Sequence, residues 1–269
     1  MEAAPPNTLE FTDLRHVHDE SLLELAYESL YLPTFTAPEE REDLAQYRDR
    51  LFGPAQASPQ PTTHFLVCGE HLSDLTTRQV LGFLIFEAYL GSGCGLATFL
   101  VVAPAARRRG IARQLLDRAM VILQGDMQSA QPNGQLRALF AEAHDPARVD
   151  AANEPIDPAL RLRALGQLGA RIVPIAYVQP SLRPGQERSR NLFFLRLALD
   201  LAQADAPVAA SVVGDFLWEF YKALGVADPG RDPDYFEMTK TLYSQIHPRN
   251  SASPASPVAT AALPTLRLI

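Results

Sequence analysis

Apolar residues recur along this chain at two spacings, and each change of spacing marks a change of predicted element. Residues 9–17 read as a strand running into a turn. Asp19 or Ser21 then stands where a cap is needed ahead of a helix over 21–32, which Pro33 ends. A second amphipathic segment, 37–52, sets Leu44, Tyr47 and Leu51 on one helical face. Residues 53–62 carry no pattern of their own. Runs of β-branched and aromatic residues at 63–70 and 80–90 predict two adjacent antiparallel strands, and 95–102 predicts a third. From Gly110 to Leu123 apolar residues return at Ile111, Leu115, Ala119 and Ile122, the spacing of a helix with one buried face. The polar stretch 124–135 predicts a turn, 136–146 a strand, and 157–170 a helix with Gly169 as its C-terminal signal. Residues 171–180 and 191–199 predict two more strands.

Helices that follow strands in the middle of the chain, with antiparallel pairs at front and back, predict a mixed α/β (α+β) layer fold. Beyond Gln203 the pattern turns helical: Val213, Leu217, Phe220 and Leu224 share a face, and 237–246 suggests another helix. A Ser-, Pro- and Ala-rich linker and an apolar end, 263–269, close the chain. The expected division is a main domain over 1–202 and a helical C-terminal extension over 203–269.

The 269 residues, 47% hydrophobic and 20% charged, are enough for one large core. A formal net charge of -7 argues against a protein that neutralises nucleic-acid phosphates. No apolar run approaches the roughly 20 residues of a membrane-spanning helix. The first ten residues lack both the basic start and the apolar segment of a signal peptide. The expectation is a cytoplasmic protein without nucleic-acid or membrane partners. Cys68 and Cys94 are too few for a disulfide framework or a metal-ligand set and read as reduced packing residues. His16 and His18 lie two apart with no third ligand close in sequence, so no metal is expected. Phe216, Trp218, Phe220 and Tyr221 read as a packing face, and the Asp-Pro pairs at 145, 157 and 232 as turn or helix-start punctuation.

Against that acidic background, positive charge gathers where a strand hands over to a helix, in Ala103-Pro104-Ala105-Ala106-Arg107-Arg108-Arg109-Gly110-Ile111-Ala112-Arg113. A helix N-terminus offers unpaired backbone N–H groups and the positive end of its dipole, which suits a phosphate or pyrophosphate. Arginines beside it add charge-assisted donors. The stretch resembles the cofactor signature of the GNAT superfamily of acyl-CoA-dependent N-acetyltransferases: Arg or Gln, two residues, Gly, one residue, then Gly or Ala. In that family the signature follows a strand ending in an apolar-x-Pro step, here Val102-Ala103-Pro104. The element order from Leu9 to Leu199, about three-quarters of the chain, is similar to the whole family fold, a mixed, mostly antiparallel sheet flanked by helices. Neither a G-x-G-x-x-G turn after a strand nor a P-loop occurs.

The resemblance implies that Leu100, Val101 and Val102 line the pantetheine arm of acetyl-CoA. Arg107, Arg108, Arg109, Gly110, Ile111, Ala112 and Arg113 would hold the pyrophosphate. It also implies acetyl transfer to a primary amine of a small molecule or peptide by direct attack in a ternary complex. Such attack needs a base to free the amine's lone pair and an acid for the departing thiolate. In 138–144 alternation puts Phe140, Glu142 and His144 on one face. In the family this strand walls the cleft, which makes Glu142 the first choice for base, with His144 a substrate-binding neighbour. Glu87 is the rival: it shares a face with Tyr89 in an apolar strand, where an unpaired carboxylate would be costly.

The family's usual acid, a Tyr four residues before a Gly-Phe pair, is missing. Leu165 and Ala170 occupy those positions around Gly169, so either Tyr177 is the best-placed acid or the coenzyme leaves as a thiolate. These departures keep a second reading open: a catalytically inactive GNAT-fold protein that binds acyl-CoA or a partner. The segment after Gln203 could form a homodimer or cover the acceptor site.

Overall fold

The computed structural model describes residues 8–36, 41–54, 60–151, 154, 156–183, 185–244, 257–258 and 260. The first strand, β1 (Glu10–Asp13), is shorter than its apolar run, because the chain turns at Leu14. Helix α1 (Glu20–Ala26) starts where the carboxylate of Asp19 accepts the backbone N–H of Leu22 at 2.8 Å. It widens into a π turn over Tyr27–Tyr31 and ends in a short turn, α2 (Leu32–Thr34). Pro33 therefore sits inside the last turn rather than stopping the helix before it, as it can where its missing N–H is already an orphan. Helix α3 (Leu44–Phe52) opens with a capping box in which Asp43 and Gln46 bond reciprocally. Strands β2 (Thr62–Glu70), β3 (Gln79–Tyr89) and β4 (Cys94–Val102) follow.

Helix α4 (Ile111–Ala130) runs well past Leu123, through what reads as polar turn sequence. Leu123 and Met127 continue its buried stripe, and a Cβ at Gly125 would meet nothing within 4 Å, so this exposed glycine is tolerated. Next come β5 (Ala138–His144), α5 (Pro158–Gln167), β6 (Ala170–Ile172) and β7 (Leu192–Leu197). Asp157 caps α5 and Gly169, at φ 90°, follows its end. Beyond β6 the predicted strand is broken at Pro174. Residues 173–178 take two successive three-residue turns, Ile175 N–H to Val173 and Tyr177 N–H to Ile175, before an isolated bridge pairs Gln179 with Ser189. A short pair, β8 (Val208–Ala209) and β9 (Pro257–Val258), precedes and follows helices α6 (Ala210–Ala223) and α7 (Pro233–Ser244). Asp232 caps α7. The apolar end at 263–269 lies outside the described residues, as does most of the linker before it.

The seven-stranded sheet has the order β1-β2-β3-β4-β5-β7-β6. β1 and β2, β5 and β7, and β6 and β7 pair antiparallel, while β4 and β5 pair parallel, as a strand–helix–strand crossover through α4 requires. This is the mixed, mostly antiparallel sheet expected. No described helix is long and apolar enough to cross a membrane.

The chain folds as two compact units that are not contiguous in sequence: 1–56, 62–87 and 98–122 form one, and 57–61, 88–97 and 123–269 the other. The first unit buries Leu14, Leu22, Tyr31, Tyr47, Phe65 and Phe83. Tyr31 is its hub, packing edge-on to Tyr47 at 5.7 Å and to Phe99 at 5.1 Å while its hydroxyl accepts the Glu42 N–H. The second unit buries Phe140, Phe194 and Phe216 in mutual ring contact, together with Tyr221, whose hydroxyl donates to Val178 O at 2.6 Å. Trp218 is not part of that buried face: it is 40% exposed and meets the edge of Tyr235. Cys68 and Cys94 are free and buried, and burial raises their thiols to about 11 and about 12, which makes neither a ready nucleophile.

Burial has a measurable consequence for the tyrosines. It raises Tyr31 to about 12 and pushes Tyr47, Tyr177 and Tyr221 up as well. An unfolded tyrosine ionises near 10, so the stability these neutral phenols support is complete below pH 10 and is lost as pH climbs towards their folded values. For Tyr31 alone the loss is about 1.4 kcal/mol per pH unit between about 10 and 12. The expected result is cooperative unfolding in that window, with the buried tyrosines' 295-nm absorbance change coinciding with loss of circular dichroism. Titration of every tyrosine near pH 10 in a folded protein would overturn it.

Candidate functional site

The arginine turn lies in the first unit. β4 ends at Val102, Pro104–Ala106 make a single 3-10 turn, and the chain then passes through two left-handed residues, Arg108 (φ 66°) and Gly110 (φ 76°), before α4 begins at Ile111. Gly110 takes this φ without strain, whereas Arg108 holds it against the preference of any residue with a Cβ. Alternation of the backbone here leaves the N–H groups of 108–113 without an acceptor among the described residues, while the Gln114 N–H returns to Gly110 O. A Cβ at Gly110 would meet nothing within 4 Å. Open donors, a helix start and three exposed arginines make a seat that fits a pyrophosphate. Arg109 reaches Glu70 at 3.1 Å, Arg113 pairs with Asp117, Arg107 lies within 3.4 Å of the Val102 carbonyl, and Arg108 is exposed. Val101 is buried, and Leu100 and Val102 are half-buried.

One residue that the pattern reading passed over shapes both flanks of this turn. A Cβ at Gly82 of β3 would stand 2.8 Å from the Val101 carbonyl oxygen and 3.2 Å from Ile111 Cγ2. An isolated glycine inside a strand pattern is a signal of close backbone approach, and it could have been read. Gly82→Ala is expected to displace the end of β4 or the start of α4. Such overpacking costs about 1–3 kcal/mol, seen as a melting temperature several degrees lower; an unchanged melt would show that the neighbours yield freely.

In the second unit, Glu142 and Tyr177 are hydrogen-bonded to each other. The Tyr177 hydroxyl donates to Glu142 Oε1, and Gln179 Nε2 donates to Oε2 at 2.8 Å. β5 presents Glu142 opposite Phe194 of β7, and the turns after β6 bring Tyr177 and Gln179 to it. Burial, and after it the charge of Glu142, raise the Tyr177 hydroxyl well above 10, so it stays a proton-bearing donor at neutral pH. Glu142 is half-buried while Tyr177 is only 5% exposed, so of the pair the carboxyl is the group open to solvent. Gln179 was not legible as a partner, because its role depends on a fold-back that no periodicity encodes. His144 Nδ1 lies 2.7 Å from Glu154 Oε1, and Glu154 in turn receives Arg161 at 2.8 Å. Tyr89 stands in the aromatic core, edge-on to Phe216 at 5.1 Å.

The rival carboxylate, Glu87, belongs to the first unit. It is buried, 3.5 Å from Arg50 Nη1, and Arg50 also bonds Glu42 and covers the Tyr47 ring at 5.1 Å. The expectation that a carboxylate in an apolar strand needs a partner is met by this arginine. Leu165, at the position of the family's Tyr, is half-buried in α5 and offers no hydroxyl.

The mixed, mostly antiparallel sheet with a strand-to-helix arginine turn is a GNAT-like fold. Residues 25–144 match the model of the Acetyltransferase (GNAT) family. Among solved structures, an acyl-CoA N-acyltransferase from Pseudomonas aeruginosa is 17% identical, with a TM-score of 0.39, covering 71% of this chain and 100% of its own. Ard1 from Thermoplasma volcanium is 15% identical, TM-score 0.42, covering 71% and 99%. A nourseothricin acetyltransferase is 15% identical, TM-score 0.33, covering 51% of this chain and 66% of its own length. No curated protein matches the chain in sequence.

Proposed function

We propose that this chain is an acetyl-CoA-dependent N-acetyltransferase acting on a primary amine of a small molecule or peptide, with 1–202 as its catalytic domain and 203–269 as a helical extension. The observation that carries the reading is the arginine turn, whose open N–H groups at 108–113 and left-handed Arg108 and Gly110 suit a pyrophosphate. Acetyl-CoA supplies an acetyl group activated as a thioester. Arg108, Arg109 and the backbone of 108–113 hold its pyrophosphate, Arg107 and Arg113 add positive charge around it, and Leu100, Val101 and Val102 flank its arm. Glu142 takes a proton from the attacking ammonium, held for that task by Tyr177 and Gln179. The ammonium nitrogen gives up two protons in becoming an amide: the Glu142–Tyr177 pair would hold one and return it to the departing thiolate, and the other goes to solvent, which restores the starting state. His144, on the same strand as Glu142, is assigned to the acceptor amine. Buried, unactivated Cys68 and Cys94 favour direct attack over an acyl-enzyme.

Leu165 and Ala170, in place of a hydroxyl and an aromatic ring, favour a second reading: a GNAT-fold protein that binds acyl-CoA without turnover. Incubating the protein with acetyl-CoA and a panel of small and peptidyl amines, while following thiol release, separates the two. Amine-dependent release supports the enzyme. Binding without release, over the whole panel, supports the second reading.

A further inference from the structure

We infer that Asp13, His16 and His64 form a binding site for one divalent first-row transition ion of the zinc type, independent of the acetyl-transfer reading. His16 and His18 could not be given a third ligand from nearby sequence, because that ligand arrives from β2. β1 pairs with β2 in the register Asp13 with Leu66, and the Leu14 N–H bonds Phe65 O at 3.0 Å. This sets His64 of β2 beside the turn that carries His16. His64 Nδ1 lies 2.8 Å and His16 Nδ1 2.9 Å from the same Asp13 oxygen, Oδ2, and the three atoms fall within 4.8 Å of one another.

Three lone-pair donors converging on one point are what a metal centre requires. Tetrahedral zinc with bonds of about 2.0–2.1 Å spaces its ligand atoms about 3.3 Å apart, so the two Asp13–histidine spacings open by about half an ångström while the two histidine nitrogens, within 4.8 Å of each other, adjust around the ion. His16 can supply that movement: its side chain is 61% exposed and stands on a turn, whereas Asp13 and His64 are buried. The fixed half is already oriented. His64 stacks on Phe86 at 4.9 Å, and Asp13 Oδ1 accepts the Arg15 N–H at 3.1 Å, an outer-shell bond of the kind that holds ligating carboxylates. Two imidazoles and one carboxylate suit zinc, cobalt or nickel and are too nitrogen-rich for calcium or magnesium. The exposed side of His16 leaves room for water in the fourth position. A metal there would tie the turn after β1 to β2. His18 is a built-in control: it is turned away, pairing with Glu20 at 3.2 Å and stacking on Phe52 at 4.1 Å.

The test uses full-length protein stripped with chelator, titrated with Zn²⁺ by calorimetry and with Co²⁺ by visible absorption. Variants His16→Ala and His18→Ala, both at exposed side chains, are first checked by circular dichroism. The expected result is one ion per chain for parent and His18→Ala, with affinity at least about 10-fold lower in His16→Ala, the least that loss of even an outer-shell partner costs. Zn²⁺ should raise the melting temperature of the first two and not of the third. Folded parent protein that takes up neither ion, uptake unchanged in His16→Ala, or loss in His18→Ala would each overturn the site.

Discussion

Replacing Arg108 and Arg109 by glutamate and Gly110 by proline is expected to weaken acetyl-CoA binding by at least about 100-fold in isothermal titration. A hydrogen bond to a charged group contributes about 1.5–3 kcal/mol, and each 1.4 kcal/mol is about a factor of ten in affinity, so loss of two such donors alone reaches that figure. Proline adds to it, since its φ near -65° cannot reproduce the 76° of Gly110 and it carries no N–H. A glutamate at 109 would also face Glu70 instead of pairing with it. Because proline can disturb folding, the exposed single change Arg108→Gln is the companion: about tenfold weaker binding in a protein with the parent's melt. Parental affinity in both variants would remove the turn from the cofactor site and take the acetyltransferase reading with it.

The second large effect is on turnover. Glu142→Gln keeps the size of the side chain and an acceptor for Tyr177 but cannot take a proton. A positioned general base contributes about 10²–10⁴ in rate, so kcat is expected to fall about 100-fold or more while the Kd for acetyl-CoA stays put. The rise of rate with pH that an ionising base produces should flatten in the same variant. Tyr177→Phe leaves Glu142 its bond from Gln179 and should lose a smaller factor, about tenfold. If Glu142→Gln turns over normally and Glu87→Gln does not, the base is Glu87, which lies 3.5 Å from Arg50 Nη1.

How far the sequence carried depends on how local each cause is. The strand-to-helix arginine turn was legible because a strand end, a glycine and a helix start are consecutive, so six residues contain the whole turn. The element order was legible for the same reason, and its errors fall where a local signal was outvoted by burial: Leu123 and Met127 carry α4 through polar turn sequence. The three-residue turns after Pro174, which bring Tyr177 and Gln179 to Glu142, have no period to read. His64 and Asp13 are 51 positions apart and meet only through strand register.

Arg108 stands in the left-handed region at φ 66°, where a glycine would sit more easily. Holding a residue with a Cβ there costs about 1 kcal/mol or more, so the chain has given up some folding free energy to keep a guanidinium at that corner. Stability-guided redesign of this protein would select glycine at 108 among its first substitutions. On the proposed function it would thereby trade acetyl-CoA affinity for robustness, and the position is one to hold fixed while the rest of the surface is optimised.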